Sequence, residues 1–143
     1  MYTLDELYEQ NRDIAQLCEV LSVLTTNPEL HNNSYVIELM NIFRDKVWVH
    51  LVFEDKTVYA ELARHDDETI SDLAKEFHRS AIDTRKVFTQ FMRDWQHREL
   101  GHDKKPLSLQ CREIFEQILE RTVFENEKML PMIEEHQKLG LRQ

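Results

Sequence analysis

Apolar residues recur every three or four positions along four long stretches of this chain, which is the period of an amphipathic α-helix. The spacing predicts helices over about residues 3–26, 34–64 and 66–99, and a fourth from residue 106 onward. Residues typical of helix boundaries stand at these limits: Thr3 with Glu6 in a capping box, Asn27-Pro28, Asn33-Ser34, Asp66-Asp67 and Pro106. Pro131 lies inside the last helix and predicts a kink there or a nearby helix end.

Four amphipathic helices joined by connections of roughly three to nine residues predict an all-α fold. The expected architecture is an antiparallel up-down-up-down four-helix bundle, with residues 1–143 forming a single domain. The sequence shows no repeat, linker or low-complexity segment.

Composition supports this fold and excludes several functions. The chain has only 2 Gly and 3 Pro, which excludes a turn-rich fold and a glycine-rich phosphate loop. The formal net charge of −9 argues against nucleic acid and anionic membrane surfaces as partners. No apolar run reaches the roughly 18 residues that span a bilayer, the N-terminus has no signal-peptide pattern, and the 2 Cys form no disulfide framework. We therefore expect a cytoplasmic location.

Polar residues interrupt the apolar face of each predicted helix near its middle. With a rise of about 1.5 Å per residue, antiparallel packing places these interruptions at one height in the bundle. The expected layer consists of six residues: Asn11, His50, Glu54, His78, Arg121 and Glu125.

Buried polar groups need partners, and two kinds of partner fit this layer. A His-x-x-x-Glu pair on one helix, with His and Glu from facing helices, is how bundles build metal sites, and these ligands suit iron, manganese or zinc. Alternatively, Arg121 lies between Glu54 and Glu125 in a salt-bridged network, with the histidines and Asn11 hydrogen-bonded around it.

Four short segments around this layer resemble the motifs of one known family. WVHLVFEDK at 48–56 and ENEKMLP at 125–131 resemble the two metal-binding elements of hemerythrin-like (HHE) proteins. YEQNRDI at 8–14 and EFHR at 76–79 resemble the segments that each supply a further histidine. Their order and spacing cover essentially the whole chain.

The resemblance implies a four-helix bundle around a carboxylate-bridged, non-haem di-iron centre that binds or senses dioxygen, responds to nitric oxide or handles iron. Four residues match ligand positions of the family: His50, Glu54, His78 and Glu125. Asn11 and Arg121 depart from the pattern, because each stands where the family has a histidine. Each iron of a di-iron centre would therefore lose one ligand.

Two hypotheses follow. In the first, the four matching residues hold an iron centre with fewer ligands than the family has, mononuclear or dinuclear, or another divalent metal. Arg121 then turns outward, and the small ligand is dioxygen or nitric oxide. In the second, Arg121 pairs with Glu54 and Glu125 in place of the metal, and the bundle is a metal-free structural or interaction module. We do not expect an enzyme, since no acid–base pair stands apart from the presumed ligands. The oligomeric state is open, a homodimer included.

Overall fold

Helices make up nearly all of the structure, a computed structural model that describes residues 4–64, 66–97 and 106–141. Across those ranges there is no strand, and the predicted all-α class is confirmed. The helices are α1 (Leu4–Leu24), α2 (Ser34–Glu54), α3 (Ala60–Ala63), α4 (Glu68–His97), α5 (Leu107–Phe124) and α6 (Leu130–Leu141). A 3₁₀ turn at Pro28–Asn32 precedes α2. The predicted cap at Thr3 and the predicted helix end near Glu99 lie outside the described residues.

Side-chain caps fix two of the helix starts that the sequence indicates. The Asn33 carboxamide accepts hydrogen bonds from the backbone N–H groups of Tyr35 and Val36, which have no partner within the helix. The Asp67 carboxylate accepts from the N–H groups of Thr69 and Ile70 at the start of α4. These caps set the axial position of α2 and α4, and with it the height of the polar residues that they carry.

Neighbouring helices run antiparallel, because residue numbers rise along one helix as they fall along its partner. The contacts that show this are Asp13 with Lys46 and Gln10 with His50, Phe43 with Phe88 and Asp55 with His78, and Phe91 with Phe115 and Phe77 with Phe124. α1 also packs along α5, which closes the bundle. None of the described helices combines the length and apolar character that a membrane span requires.

The interior has two hydrophobic clusters with a polar layer between them. The larger cluster contains Ile14, Phe43, Phe88 and Phe115, and the smaller one contains Leu7, Val58, Ala81 and Met129. Along α1 the chain passes from Leu7 to Ile14 through buried Asn11, and the other helices likewise carry polar residues at the crossing. A polar layer therefore lies at the predicted height, and apolar side chains close it from both ends of the bundle.

The two helical segments that carry Glu54 and Glu125 each widen into one π-helical turn at this layer. One turn spans Asp55–Tyr59 between α2 and α3, and the other spans Glu125–Met129 between α5 and α6. Of the two outcomes predicted for Pro131, a kink or a nearby helix end, the helix end does not occur, because α6 continues to Leu141. The missing N–H of Pro131 falls just after the π turn, where the regular hydrogen-bond ladder is already interrupted.

Candidate metal centre

One imidazole nitrogen and two carboxylate oxygens meet in the polar layer. His50 Nε2 lies 2.6 Å from Glu54 Oε1 and 2.8 Å from Glu125 Oε1. His50 and Glu54 stand one helical turn apart on α2, and Glu125 reaches them from the junction of α5 with its π turn. All three side chains are buried, and their ligand-type atoms lie within 4.8 Å of one another. Histidine and glutamate in this arrangement form a candidate site for a divalent transition-metal ion.

The other ring nitrogen of His50 supports the same interpretation. His50 Nδ1 lies 2.7 Å from Gln10 Oε1, an acceptor, so Nδ1 carries a hydrogen and donates it to Gln10. In the neutral ring, Nε2 then presents its lone pair to two carboxylate oxygens, which is unfavourable without a cation between them. A proton on Nε2 serves only one of the two oxygens, and Glu54 Oε1 is buried without a hydrogen-bond donor. The donor set therefore fits a metal ion that contacts all three atoms at once.

Arg121 points into the bundle and holds the far side of this group. Its Nε donates to Glu125 Oε2 at 2.9 Å, its Nη1 to Ser80 Oγ at 3.0 Å and its Nη2 to the Tyr59 hydroxyl at 2.6 Å. The Tyr59 hydroxyl donates in turn to Glu54 Oε2 at 3.0 Å. The outward-turned Arg121 of the first hypothesis is wrong: the guanidinium binds Glu125 directly and reaches Glu54 through Tyr59.

Electrostatics of the buried groups follow from this geometry. Burial alone would lower the pKa of His50, but the charges of Glu54 and Glu125 outweigh it and raise the pKa to about 10. Burial would raise the pKa of Glu125, yet the charge of His50, hydrogen bonds with Glu54 and His50, and then the charge of Arg121 hold it well below its ordinary range. Burial and the charge of Glu125 raise the pKa of Glu54. Without a metal, a proton on His50 therefore supplies the cation that the two carboxylates require.

The two remaining residues of the predicted layer, Asn11 and His78, make contacts outside this group. Asn11 is fully buried, and its Nδ2 donates to Asn126 Oδ1 at 3.0 Å. His78 does not join the group, which corrects the expectation that it faces inward. Its side chain is 42% exposed and its Nε2 lies 3.1 Å from Asp55 Oδ1. Its ring stacks on Tyr59 with 5.1 Å between the ring centroids, so the tyrosine occupies the interior place expected for the histidine.

Sequence reasoning missed two residues that contact the centre. Gln10 could have been found, because it precedes Asn11 on the same helix and a metal-binding histidine usually donates its second N–H to a carbonyl or carboxylate. Tyr59 could not, because in a regular α-helix it would lie about 140° around the axis from Glu54, and only the π turn brings it back.

The two segments that contain Glu54 and Glu125 share a short stretch of identical sequence. Val-Phe-Glu occurs at 52–54 and again at 123–125, each time followed by Asp or Asn; a π turn begins at Asp55 after the first segment and at Glu125 within the second. His50 and Arg121 occupy the same position in the two segments. Asp55 and Asn126 are likewise equivalent, and each contacts the polar residue of the neighbouring helix, His78 and Asn11 respectively.

Comparison with known proteins gives a result that agrees with the fold and the buried centre. The model of the hemerythrin HHE cation binding domain matches residues 2–133. Neither the search of curated proteins nor the search of solved structures found a match. Since the family model covers nearly the whole chain, this protein belongs to the hemerythrin HHE cation-binding domain family.

Proposed function

We propose that this protein binds a divalent transition-metal ion through His50, Glu54 and Glu125, with iron as the first candidate. The observation that carries the proposal is the convergence of His50 Nε2 with one oxygen of each glutamate, one of which has no hydrogen-bond donor. A family of cation-binding domains is where such a group is expected to be used. The centre is a reduced version of the family arrangement, because Asn11 and Arg121 replace histidines and His78 lies apart.

Each neighbouring residue has a defined task in this centre. Gln10 holds the His50 ring so that Nε2 faces the two carboxylates. Arg121 compensates part of the negative charge of Glu125, and the hydrophobic clusters on both sides keep bulk water away. Ferrous ion with three protein ligands keeps open positions, which supply the chemistry for binding a small diatomic molecule. Dioxygen or nitric oxide is therefore the ligand class that we propose for the iron-loaded protein.

Anaerobic titration with ferrous ion tests the metal proposal. We expect about one equivalent to remain bound after gel filtration, and the protein to be stabilised by about 2.7 kcal/mol at a free metal concentration of 100 times the Kd. His50→Ala removes the imidazole ligand and should abolish both effects. His97→Ala removes an exposed histidine from the end of α4 and is the matched control. Retention of less than about a tenth of an equivalent by the wild type would refute the proposal.

Exposure of the ferrous protein to nitric oxide tests the ligand separately. An iron–nitrosyl electron paramagnetic resonance signal, absent from His50→Ala, supports diatomic binding at this centre. If the protein retains metal but gives no such signal, the proposal of cation binding stands and the proposal of a diatomic ligand is refuted.

The contacts of Arg121 favour a second candidate, a metal-free structural or interaction bundle. The guanidinium already neutralises Glu125, and protonated His50 balances the remaining charge. In that case wild-type protein retains no metal, chelator leaves its unfolding unchanged, and Arg121→His creates metal binding. The ferrous titration of the wild type decides between the two candidates.

A further inference from the structure

The outer oxygens of the two carboxylates are both occupied by side chains of the protein itself. Glu54 Oε2 accepts a hydrogen bond from the Tyr59 hydroxyl, and Glu125 Oε2 accepts one from Arg121 Nε. Only the inner oxygens, the two Oε1 atoms, face His50. Each carboxylate thus offers one oxygen to an ion beside His50.

A carboxylate that bridges two metal ions uses one oxygen for each of them, so the state of the outer oxygens decides how many ions fit. We propose that Tyr59 and Arg121 limit the centre to one metal ion by holding these outer oxygens, an inference that rests on the proposed cation binding. Arg121 adds a fixed positive charge on the side where a second cation would bind, and this charge cannot be removed by deprotonation.

Tyr59 and Arg121 act as one unit. The Tyr59 hydroxyl accepts from Arg121 Nη2 while it donates to Glu54, so each residue positions the other. Tyr59 is 3% exposed and Arg121 is 8% exposed, and Ser80 Oγ accepts from Arg121 Nη1. Displacing either outer contact by an ion would therefore leave buried donors without acceptors.

His78, the imidazole of α4 that was expected in this layer, is held away from the outer oxygens. Its ring stacks on Tyr59, and its Nε2 lies beside Asp55, which also forms an ion pair with Arg85. Among the side chains that the structure describes, a second ion would consequently find two occupied carboxylate oxygens, a guanidinium and no free imidazole beside them. Tyr59 and Arg121 are thus positioning residues that set the number of ions.

The number of ions in wild-type protein is the primary test. Protein loaded anaerobically with excess ferrous ion and then oxidised should retain about one iron per chain. Its ferric resonance should be that of an isolated high-spin ion and account for all of the bound iron. Two irons per chain, or a coupled pair without that resonance, would overturn the inference and leave cation binding intact. Retention of less than about a tenth of an equivalent would instead refute the proposed function.

A double variant tests whether Tyr59 and Arg121 are responsible. Tyr59→Phe with Arg121→His frees both outer oxygens and adds an imidazole, and we expect about two irons per chain and loss of the isolated-ion resonance. The matched control, Tyr35→Phe with Arg112→His, makes the same changes at exposed positions and should retain the wild-type number. A folded double variant that still holds one iron would overturn the assignment.

Tyr59→Phe alone separates positioning from a purely structural role. Arg121 still holds Glu125, so the number of ions should stay at about one, whereas loss of the hydroxyl contact to Glu54 should weaken metal affinity by about 10–100-fold. Unchanged affinity in this variant would count against Tyr59. If the double variant does not fold, this affinity measurement and the wild-type resonance decide the matter.

Discussion

Removing the Arg121 guanidinium should strongly destabilise the metal-free protein. In Arg121→Met the apolar stem keeps its volume, but the buried carboxylate of Glu125 loses its cation, and Tyr59 and Ser80 lose a donor. Glu125 is 1% exposed, so water cannot replace the missing contact without opening the bundle.

The structure sets the size of the effect. Removal of one partner from a buried ion pair costs about 3–5 kcal/mol, and a hydrogen bond to a charged group contributes about 1.5–3 kcal/mol. These contributions overlap here because the same guanidinium makes all three contacts, so we expect a loss of about 4 kcal/mol rather than their sum. For a domain of this length that corresponds to a Tm decrease of roughly 10–15 °C. Since whole domains have stabilities of about 5–15 kcal/mol, the variant should still fold at low temperature.

Urea unfolding followed by circular dichroism, in the presence of chelator, measures this loss directly. Arg112→Met is the control: Arg112 lies on the same helix, pairs with Glu116 at 3.9 Å and is about two-thirds exposed. Its replacement should change stability by less than about 0.5 kcal/mol. A loss below about 1 kcal/mol in Arg121→Met would show that the guanidinium does not compensate Glu125, and the metal-free candidate would lose its main support.

Two further predictions concern parts of the fold away from the centre. Burial, followed by the charge of Glu19, raises the pKa of Cys18 to about 12, and Cys111 is also buried. At pH 8 a thiol reagent should therefore label neither cysteine in native protein and both in denaturant; rapid native labelling would contradict this packing. Asn33→Ala removes the cap of α2 and should cost about 1 kcal/mol in urea unfolding, whereas Asn32→Ala should change little; equal effects would contradict the cap.

The height of the polar layer was predictable because helix geometry fixes it. Each residue advances a helix by about 1.5 Å, and recognisable caps such as Asn33 locate the helix start, so the levels of Asn11, His50 and Glu125 could be compared before the structure was known. The hydrophobic period likewise predicts which faces turn inward, and the all-α bundle follows from it. Axial position is thus accessible from sequence wherever a helix stays regular.

The direction in which side chains point around the helix axis was not predictable for the residues that follow Glu54 and Glu125 in the sequence. The α-helical period places Met129 and Met132 on the inner face, whereas the structure buries Met129, Leu130 and Ile133. The α-helical period has no place for the extra residue of a π turn, so side chains after the turn are rotated from the positions that the period predicts. The π turn at Asp55–Tyr59 brings Tyr59 inward, and Tyr59 then occupies the place expected for His78.

The match between the two Val-Phe-Glu segments gives the centre an approximate twofold symmetry that is broken at three positions. In the aligned segments His50 corresponds to Arg121, Asp55 to Asn126, and Tyr59 to Leu130, which has no hydroxyl. Exchanging only the histidine and the arginine would therefore not reproduce the same centre rotated by 180°, since the hydroxyl that joins Arg121 to Glu54 has no counterpart on the other half. The centre is consequently asymmetric, with the imidazole on α2, the guanidinium on α5 and the candidate metal ligands drawn from both halves.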